Sequence, residues 1–288
     1  MKINNVSVIV PTLNSEKYIR RLIEILLINF SDIIIGVDTK SSDDTLKIVK
    51  EYPVKLIHID NKSGYAENGV IKILAEQCSN KWILRLDDDE LISNQLIEFI
   101  GNSLKTLNVS CVGFHRKWCR INQSQLEWMA LPDYSYDWQW RLFKKDQVNF
   151  INDIHTPGYF FDTSKCAPIE ACIFHLDWIY HTYQERKEKI NRYESIKLGG
   201  GESVRHYYLY EDIENFSYYF IPVWESSIPN ILKTFVKTNA NYKAGVFQPM
   251  NVHEYIFTSY NTKSCRKIII KKLISLKNYF GIFKNAKF

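Results

Sequence analysis

Residues 6–27, VSVIVPTLNSEKYIRRLIEILL, carry the reading on which the fold turns. Val6 to Val10 is a β-branched run that stops at Pro11, and from Glu16 onward Ile19, Leu22, Ile23, Leu26 and Leu27 recur at helical spacing. The stretch is a strand, a loop and a helix. Outward from it, residues 33–37 repeat the pattern: a strand ends at Asp38, a polar loop follows at 39–43, and Leu46, Ile48 and Val49 sit on a short helix. Residues 54–59 read as a third strand. After a turn at 62–64 a helix is expected over 66–77, and residues 82–86 form a fourth strand that runs into Asp87-Asp88-Asp89-Glu90. Strands alternating with helices imply right-handed βαβ units, and so an α/β fold with a mainly parallel sheet flanked by helices. Such a sheet collects ligands beyond the carboxyl ends of its strands. Thr12, Asn14, Asp38, Asp60 and the acidic run 87–90 therefore share one edge.

The rest of the chain bounds the reading without adding a motif of comparable strength. A 288-residue chain with 45% hydrophobic and 24% charged residues has the composition of a globular protein. The net charge of +5 is modest and calls for no nucleic-acid partner. Basic residues concentrate only at the end, where Lys263, Arg266, Lys267, Lys271, Lys272, Lys277, Lys284 and Lys287 follow the last acid, Glu254. Ile268–Ile270 and Leu273, Ile274 and Leu276 among them describe a short cationic helix of the kind that rests on an anionic membrane surface, or one that packs on the domain. The six cysteines form no CxxC pair and no zinc-like spacing, so free thiols are expected. The first apolar run is too short for a signal peptide, and none approaches the roughly 20 residues of a membrane span. The expectation is a cytoplasmic protein, peripheral on the inner face of the membrane if the tail binds lipid.

Beyond residue 91 the pattern loosens to a helix near 94–107, a strand at 111–117 and an aromatic-rich stretch with Trp118, Trp128, Trp138 and Trp140. A polar helix is expected over 183–196, and Gly199-Gly200-Gly201 suggests a linker or mobile loop.

Asp87-Asp88-Asp89-Glu90 is the sharpest chemical feature. Four successive acids repel one another, and a fold sets them at the mouth of a buried strand only if positive charge offsets the repulsion. In an extended segment Asp87 and Asp89 point to the same side and reach one divalent cation, with hard oxygen ligands favouring Mg²⁺ or Mn²⁺. The alternative is a solvated loop capping the helix that begins near Ser93. Asp38 and the loop 11–16 admit the same two readings, a ligand contact or ordinary turn and cap chemistry.

Taken together, residues 6–19, Val37-Asp38 with Ser41-Ser42-Asp43-Asp44-Thr45, Gly64 and Asn68, and Leu84 to Glu90 resemble the ordered signature of family 2 glycosyltransferases of the GT-A fold. The resemblance covers about the first third of the chain. It implies a Rossmann-like sheet that binds a nucleotide sugar, a UDP-sugar first among the candidates. Pro11, Thr12, Asn14, Glu16 and Asp38 are assigned by it to the nucleotide, and Asp87 to the sugar nucleotide. Gly64, Asn68, Arg85, Asp88 and Arg141 are placed with the donor, and Asp89 with the metal, Mn²⁺ or Mg²⁺.

Downstream, Asp137-Trp-Gln-Trp-Arg141, His155 and His175-Leu-Asp-Trp are similar to the bacterial branch that includes lipopolysaccharide-core glucosyltransferases, and they imply a place in polysaccharide or lipopolysaccharide biosynthesis. That branch often has His-Glu where this chain has His155-Thr156. Inverting transfer needs a carboxylate to take the acceptor proton. Asp137 is assigned as that base, with Asp133 as its competitor; pairing with Arg141 is the alternative role for Asp137. His155 is assigned to the metal, Arg141 to the diphosphate, and Trp138 and Trp140 offer faces for sugar stacking. The expected division is a glycosyltransferase domain over 1–198, with a donor half 1–92 and an acceptor half 93–198, and a C-terminal extension 199–288. The expected acceptor is a hydroxyl of a glycan or a lipid-linked sugar. The competing readings are a nucleotidyltransferase, for which the loop after the first strand lacks the Gly-rich, Lys-bearing pattern, and an inactive sugar-nucleotide-binding domain.

Overall fold

The structure, a computed structural model, describes residues 2–62, 69–130, 137–153, 155–209 and 220–239. Its first half alternates as the sequence predicts: β1 (Ile3–Thr12), α1 (Ile19–Asn29), β2 (Phe30–Asp38), α2 (Thr45–Lys50), β3 (Lys55–Ile59), α3 (Val70–Glu76) and β4 (Trp82–Arg85). These strands lie in the order β3-β2-β1-β4 and all pair in parallel, with Val8 opposite Ile33 and Leu84. Both faces of the sheet are covered, so β1 and β2 read as continuous apolar runs. Alternation along each strand then sorts side chains by face. Val6, Val8 and Val10 pack with α1 residues Leu22 and Leu26 in one core, while Ile9, Ile34 and Ile83 pack with α3 residues Ile71 and Leu74 in the other. Each such buried aliphatic side chain contributes about 1.5–3 kcal/mol relative to exposure.

The helix expected from residue 66 is described from Val70, after Gly69 at φ +80°, a left-handed position suited to glycine. α4 (Asn94–Ser103) is shorter than expected and is capped by Ser93, whose hydroxyl accepts from Leu96 N–H at 3.1 Å. The acidic run does not cap it.

The second half extends the sheet with antiparallel members. β6 (Cys111–Asn122) and β8 (Trp138–Lys144) add to β4, and β7 (Gln125–Met129) forms a hairpin with β6. β5 (Glu90–Ile92) pairs antiparallel with β12 (Cys172–His175), which also runs parallel to β6. β9 (Val148–Phe150) and β10 (Tyr159–Phe161) form a separate ribbon, and β11 (Ser164–Cys166) lies on β6. The chain continues through α5 (Asp177–Tyr180), α6 (Tyr183–Ile196), α7 (Arg205–Tyr208), β13 (Phe220–Pro222) and α8 (Asn230–Thr238). The result is a mixed α/β architecture with a mainly parallel core sheet flanked by helices.

The glycine run 199–201 is a tied turn, where the sequence suggests a linker or mobile loop. Glu194 accepts from the N–H groups of Gly199, Gly201 and Glu202 at 2.7, 2.9 and 3.2 Å. Further along, β13 pairs with β7, and α8 lies against α1, where Arg21 sits 3.9 Å from the Phe235 ring centroid. All described residues fall in one compact unit, and the second unit, 211–215 with 247–288, lies outside them, as do the basic tail and the cationic helix expected there. Among the described residues no helix is long and apolar enough to cross a membrane. Cys78, Cys111, Cys119, Cys166 and Cys172 are free thiols.

Candidate active site

A cavity of about 440 Å³ opens at the carboxyl ends of β1, β2 and β4. On the strand side it is lined by Pro11, Thr12, Asn14, Asp38 and Asp87 to Asp89, and on the other by Glu188, Lys189, Arg192 and Tyr193 of α6. Gly36 of β2 forms part of the floor, and a Cβ there would meet Ile59 Cδ1 at 2.3 Å and Leu74 Cδ2 at 2.8 Å. A larger residue there would have to displace these two buried side chains.

The loops after β1 and β2 hold each other. Asn14, at φ +54°, accepts from Ser42 N–H at 2.8 Å, and Glu16 accepts from Asp44 N–H at 2.9 Å. Ser15 N–H donates to Thr45 Oγ1 at 2.6 Å. Asp38 is buried, and its Oδ1 accepts from Lys40 N–H at 2.9 Å. Asn14 and Asp38 reach the cavity wall, while Glu16 serves the loop.

The acidic run is a turn, closed by Glu90 N–H to Asp87 C=O at 3.1 Å, and not the extended segment expected. Asp87 and Asp89 consequently diverge. Asp87 accepts from Arg85 Nη2 at 3.0 Å and also from Arg141, which donates to buried Glu90 at 2.7 Å. Burial alone would raise the Asp87 pKa, but Arg141 and then Arg85 override it and hold the carboxyl well below its usual range. Asp88 turns the other way and accepts from Thr12 Oγ1 at 2.8 Å and from Ser15. Its burial, reinforced by the charge of Asp89, pushes it up to about 6. The positive charge that offsets the run thus comes largely from arginines of β4, β6 and β8, with Arg116 Nη1 3.6 Å from Glu90.

Asp89 belongs to a different group. β12 pairs with β5 so that His175 stands opposite Glu90, and Leu176 N–H donates to Asp89 C=O at 2.9 Å. His175 Nε2 lies 3.4 Å from Asp89 Oδ1, and the chain then turns into α5, which carries Asp177. Asp89, Asp177 and His181 place one ligand atom each within 4.8 Å of one another. Two carboxylate oxygens and an imidazole nitrogen are a suitable donor set for Mn²⁺ or Mg²⁺. Asp177 is fully buried, and its Oδ2 has no hydrogen-bond partner among the described residues. A buried carboxylate oxygen without a partner is costly unless a cation or donor reaches it, so these residues fit a metal. Lys189 Nζ stands between the two acids, 3.0 Å from Asp177 Oδ1 and 3.4 Å from Asp89 Oδ2. His181 bridges from Asp177, at 3.0 Å through Nδ1, to the Tyr18 hydroxyl, at 3.0 Å through Nε2. Burial would lower the His181 pKa, but Asp177 raises it on balance.

Several expected site residues lie elsewhere. His155 does not reach Asp89: at φ +60° its Nε2 is 2.6 Å from Gly200 C=O and its ring packs edge-on to Tyr193. Arg141 is buried behind Asp87 and Glu90 and is not part of the cavity wall. Asp137 pairs with Arg116 rather than Arg141. Its Oδ2 accepts from Arg116 Nε and Trp118 Nε1, both at 2.8 Å, and its Oδ1 from Gln139 Nε2 at 2.6 Å. Burial works against the charge, but Arg116 keeps Asp137 below the usual carboxylate range. Trp140 packs on Gly113 and Phe161, and Trp138 on His115, so neither ring faces the cavity. Gly64, Asn68 and Asp133 lie outside the described residues. Asp177, His181 and Lys189 join the site without a role assigned to them from the sequence. The spacing Asp177-x-x-x-His181 was an available signal, since residues four apart share a helical face.

The sequence profile described as Glycosyl transferase family 2 matches residues 7–164, more than half of the chain. The chain belongs to glycosyl transferase family 2. An uncharacterized glycosyltransferase of Rickettsia typhi is 36% identical over 98 residues, which cover 33% of this chain and 32% of that protein. The chain thus spans about a third of the length of the curated relative it matches. Among solved structures, S. aureus TarS 1–349 aligns with a TM-score of 0.44 at 16% identity, over 69% of this chain and 67% of its own. The same protein in complex with UDP-GlcNAc aligns with a TM-score of 0.45 at 17% identity, over 74% and 73%. Within the family 2 match, the strand-end loops and the acidic turn that line the cavity all fall inside residues 7–164.

Proposed function

We propose that this family 2 glycosyltransferase moves a sugar, with inversion, from a nucleotide-diphosphate sugar to a hydroxyl of a glycan or lipid-linked acceptor. The carrying observation is the cavity that joins Pro11, Thr12, Asp38 and the 87–89 turn to the face of α6 that carries Lys189 and Arg192. In this reading Pro11, Thr12, Asn14 and Asp38 hold the nucleoside. Asp87, fixed by Arg85 and Arg141, orients the sugar nucleotide, and Lys189 and Arg192 face the diphosphate. Asp89, Asp177 and His181 hold Mn²⁺ or Mg²⁺, which when bound supplies a Lewis-acid charge to the leaving diphosphate. UDP is the first nucleotide to test, in keeping with the UDP-GlcNAc complex of TarS.

Transfer forms a bond from the acceptor oxygen to the anomeric carbon as the bond to the diphosphate oxygen breaks, and the acceptor proton passes to a carboxylate. Asp137 fills that role in this proposal, with Asp133 as competitor. The three donors to Asp137 leave the second lone pair of its Oδ1 for the proton, while Arg116 lowers its basicity. The lipopolysaccharide-core branch and peripheral membrane contact through the basic residues 263–287 complete the proposal, and both rest on sequence.

The test is a thermal-shift screen of UDP-, GDP- and dTDP-sugars with and without Mn²⁺. A ligand at 100 times its Kd stabilises the folded protein by about 2.7 kcal/mol, which a melting curve resolves. One nucleotide class should raise Tm, more so with Mn²⁺. No shift with any of them would sink the donor-site reading.

A further inference from the structure

We propose that Lys189 is an exchangeable cation, holding the Asp89–Asp177 pair together until a divalent ion enters and sends the lysine into the donor cavity. The inference rests on the metal-site reading of Asp89, Asp177 and His181 and adds to it a built-in competitor for the ion.

Lys189 Nζ reaches both acids, at 3.4 Å from Asp89 and 3.0 Å from Asp177. Both carboxylates are almost fully buried and would repel each other if left alone. One ammonium offsets only part of that charge and satisfies only part of the geometry: Asp177 Oδ2 has no hydrogen-bond partner among the described residues, and neither has the buried Nδ1 of His175, whose other nitrogen contacts Asp89. A divalent ion brings the second positive charge and takes several oxygen ligands at once. It and the ammonium have to compete for the same oxygens.

The lysine has somewhere to go. It is carried by α6, its side chain is 19% exposed, and it already lines the cavity together with Arg192, which is less than one helical turn further along. A displaced ammonium therefore arrives beside Arg192, and the two cations together would face the diphosphate of the proposed donor, in a cavity whose other charged residues are mainly acidic. Ion binding and donor binding would then be coupled, because each favours the same position of Lys189.

The experiment measures binding of Mn²⁺ alone, by calorimetry and by the electron paramagnetic resonance signal of free Mn²⁺, to the full chain and to Lys189→Met. Lys189→Arg keeps the positive charge, and urea unfolding checks that each variant is folded. Removing a competing charge at ion-pair distance should tighten Mn²⁺ binding about tenfold, while Lys189→Arg should not tighten it. Asp177→Asn introduced into the Lys189→Met protein should abolish the gain. Equal or weaker Mn²⁺ binding by Lys189→Met overturns the exchange while leaving the metal site standing. A gain that survives Asp177→Asn puts the ion elsewhere and also overturns it. If neither the native chain nor Lys189→Met binds Mn²⁺, the metal-site reading falls, and the exchange falls with it.

Discussion

Single atoms decide much of the chemistry here. The buried Asp177 Oδ2, without a hydrogen-bond partner among the described residues, points to a cation more directly than the acidic run that drew attention in the sequence. Asp137 shows the opposite condition. Three donors bind its oxygens and Arg116 keeps it ionised, so its basicity is lowered and one lone pair of Oδ1 is left to take a proton. Asp137→Asn should leave donor binding in place and remove transfer, measured by nucleotide release in the presence of acceptor. If Asp133→Asn does so and Asp137→Asn does not, the base is Asp133. Asp137→Asn also leaves Arg116 with fewer ionic partners, so a drop in stability of about 1–3 kcal/mol in urea unfolding is expected alongside.

At the scale of an element, α6 is the unit that turns a sheet edge into a cavity. It has no strong apolar face, and it is secured at its ends and by one buried arginine. Thr182 and Glu185 form a capping box, with Thr182 Oγ1 accepting from Glu185 N–H at 3.2 Å and Glu185 accepting from Thr182 N–H at 2.7 Å. Arg186 donates to Tyr208 C=O at 2.8 Å and ties α6 to α7. Glu185 also pairs with Lys17 of the loop before α1, at 2.8 Å. Partial burial acts to raise the Glu185 pKa, but Lys17 and the Thr182 N–H override it and hold it at about 2, against 4.5 for a free side chain. A carboxyl whose folded pKa is depressed stabilises the fold fully above the unfolded value and loses that contribution as pH falls through the folded one. Glu185→Gln preserves the capping geometry and removes the charge. The variant should melt below the native chain near neutral pH, and the gap should close as pH falls from about 4.5 to about 2. A gap that persists at the acid end would show that charge is not what Glu185 contributes.

For the whole molecule, the cavity floor and the two cores are one packing problem. Gly36 sits where β2 passes under both the cavity and α3, and a side chain there would collide with Ile59 and Leu74. Overpacking of this kind costs about 1–3 kcal/mol. Gly36→Val should therefore lower the unfolding free energy from urea titration by that amount and weaken nucleotide-sugar stabilisation in the thermal-shift screen, because the displaced atoms lie beneath the cavity. Native stability with unaltered donor binding would show that the floor relaxes freely. The antiparallel half of the sheet has its own global role: the pairing of β12 with β5 brings the segment with Asp177 and His181 up to Asp89.

The sequence by itself determined β1 to β4 and the edge on which their ends meet, because strand and helix periodicities are local and a β-branched run ending at Pro11 or Asp38 has little alternative. It also determined family membership, whose motifs sit in those same loops. The geometry of the acidic run was decided only by the tertiary structure. Residues 87–90 close a turn in which Arg141 from β8 binds Asp87 and Glu90 while Ser15 from the first loop binds Asp88. His155 and Asp177 exchanged places as candidate ligands for the same reason. His155 was attractive by motif, but its partner is a carbonyl 45 residues away, whereas Asp177 and Lys189 reach Asp89 through strand pairing and a helix that folds back across the sheet edge. Periodicity records which face a residue takes along its own element. Which distant charges that face meets is set by packing, and at this site packing is what brings Asp89, Asp177 and His181 together.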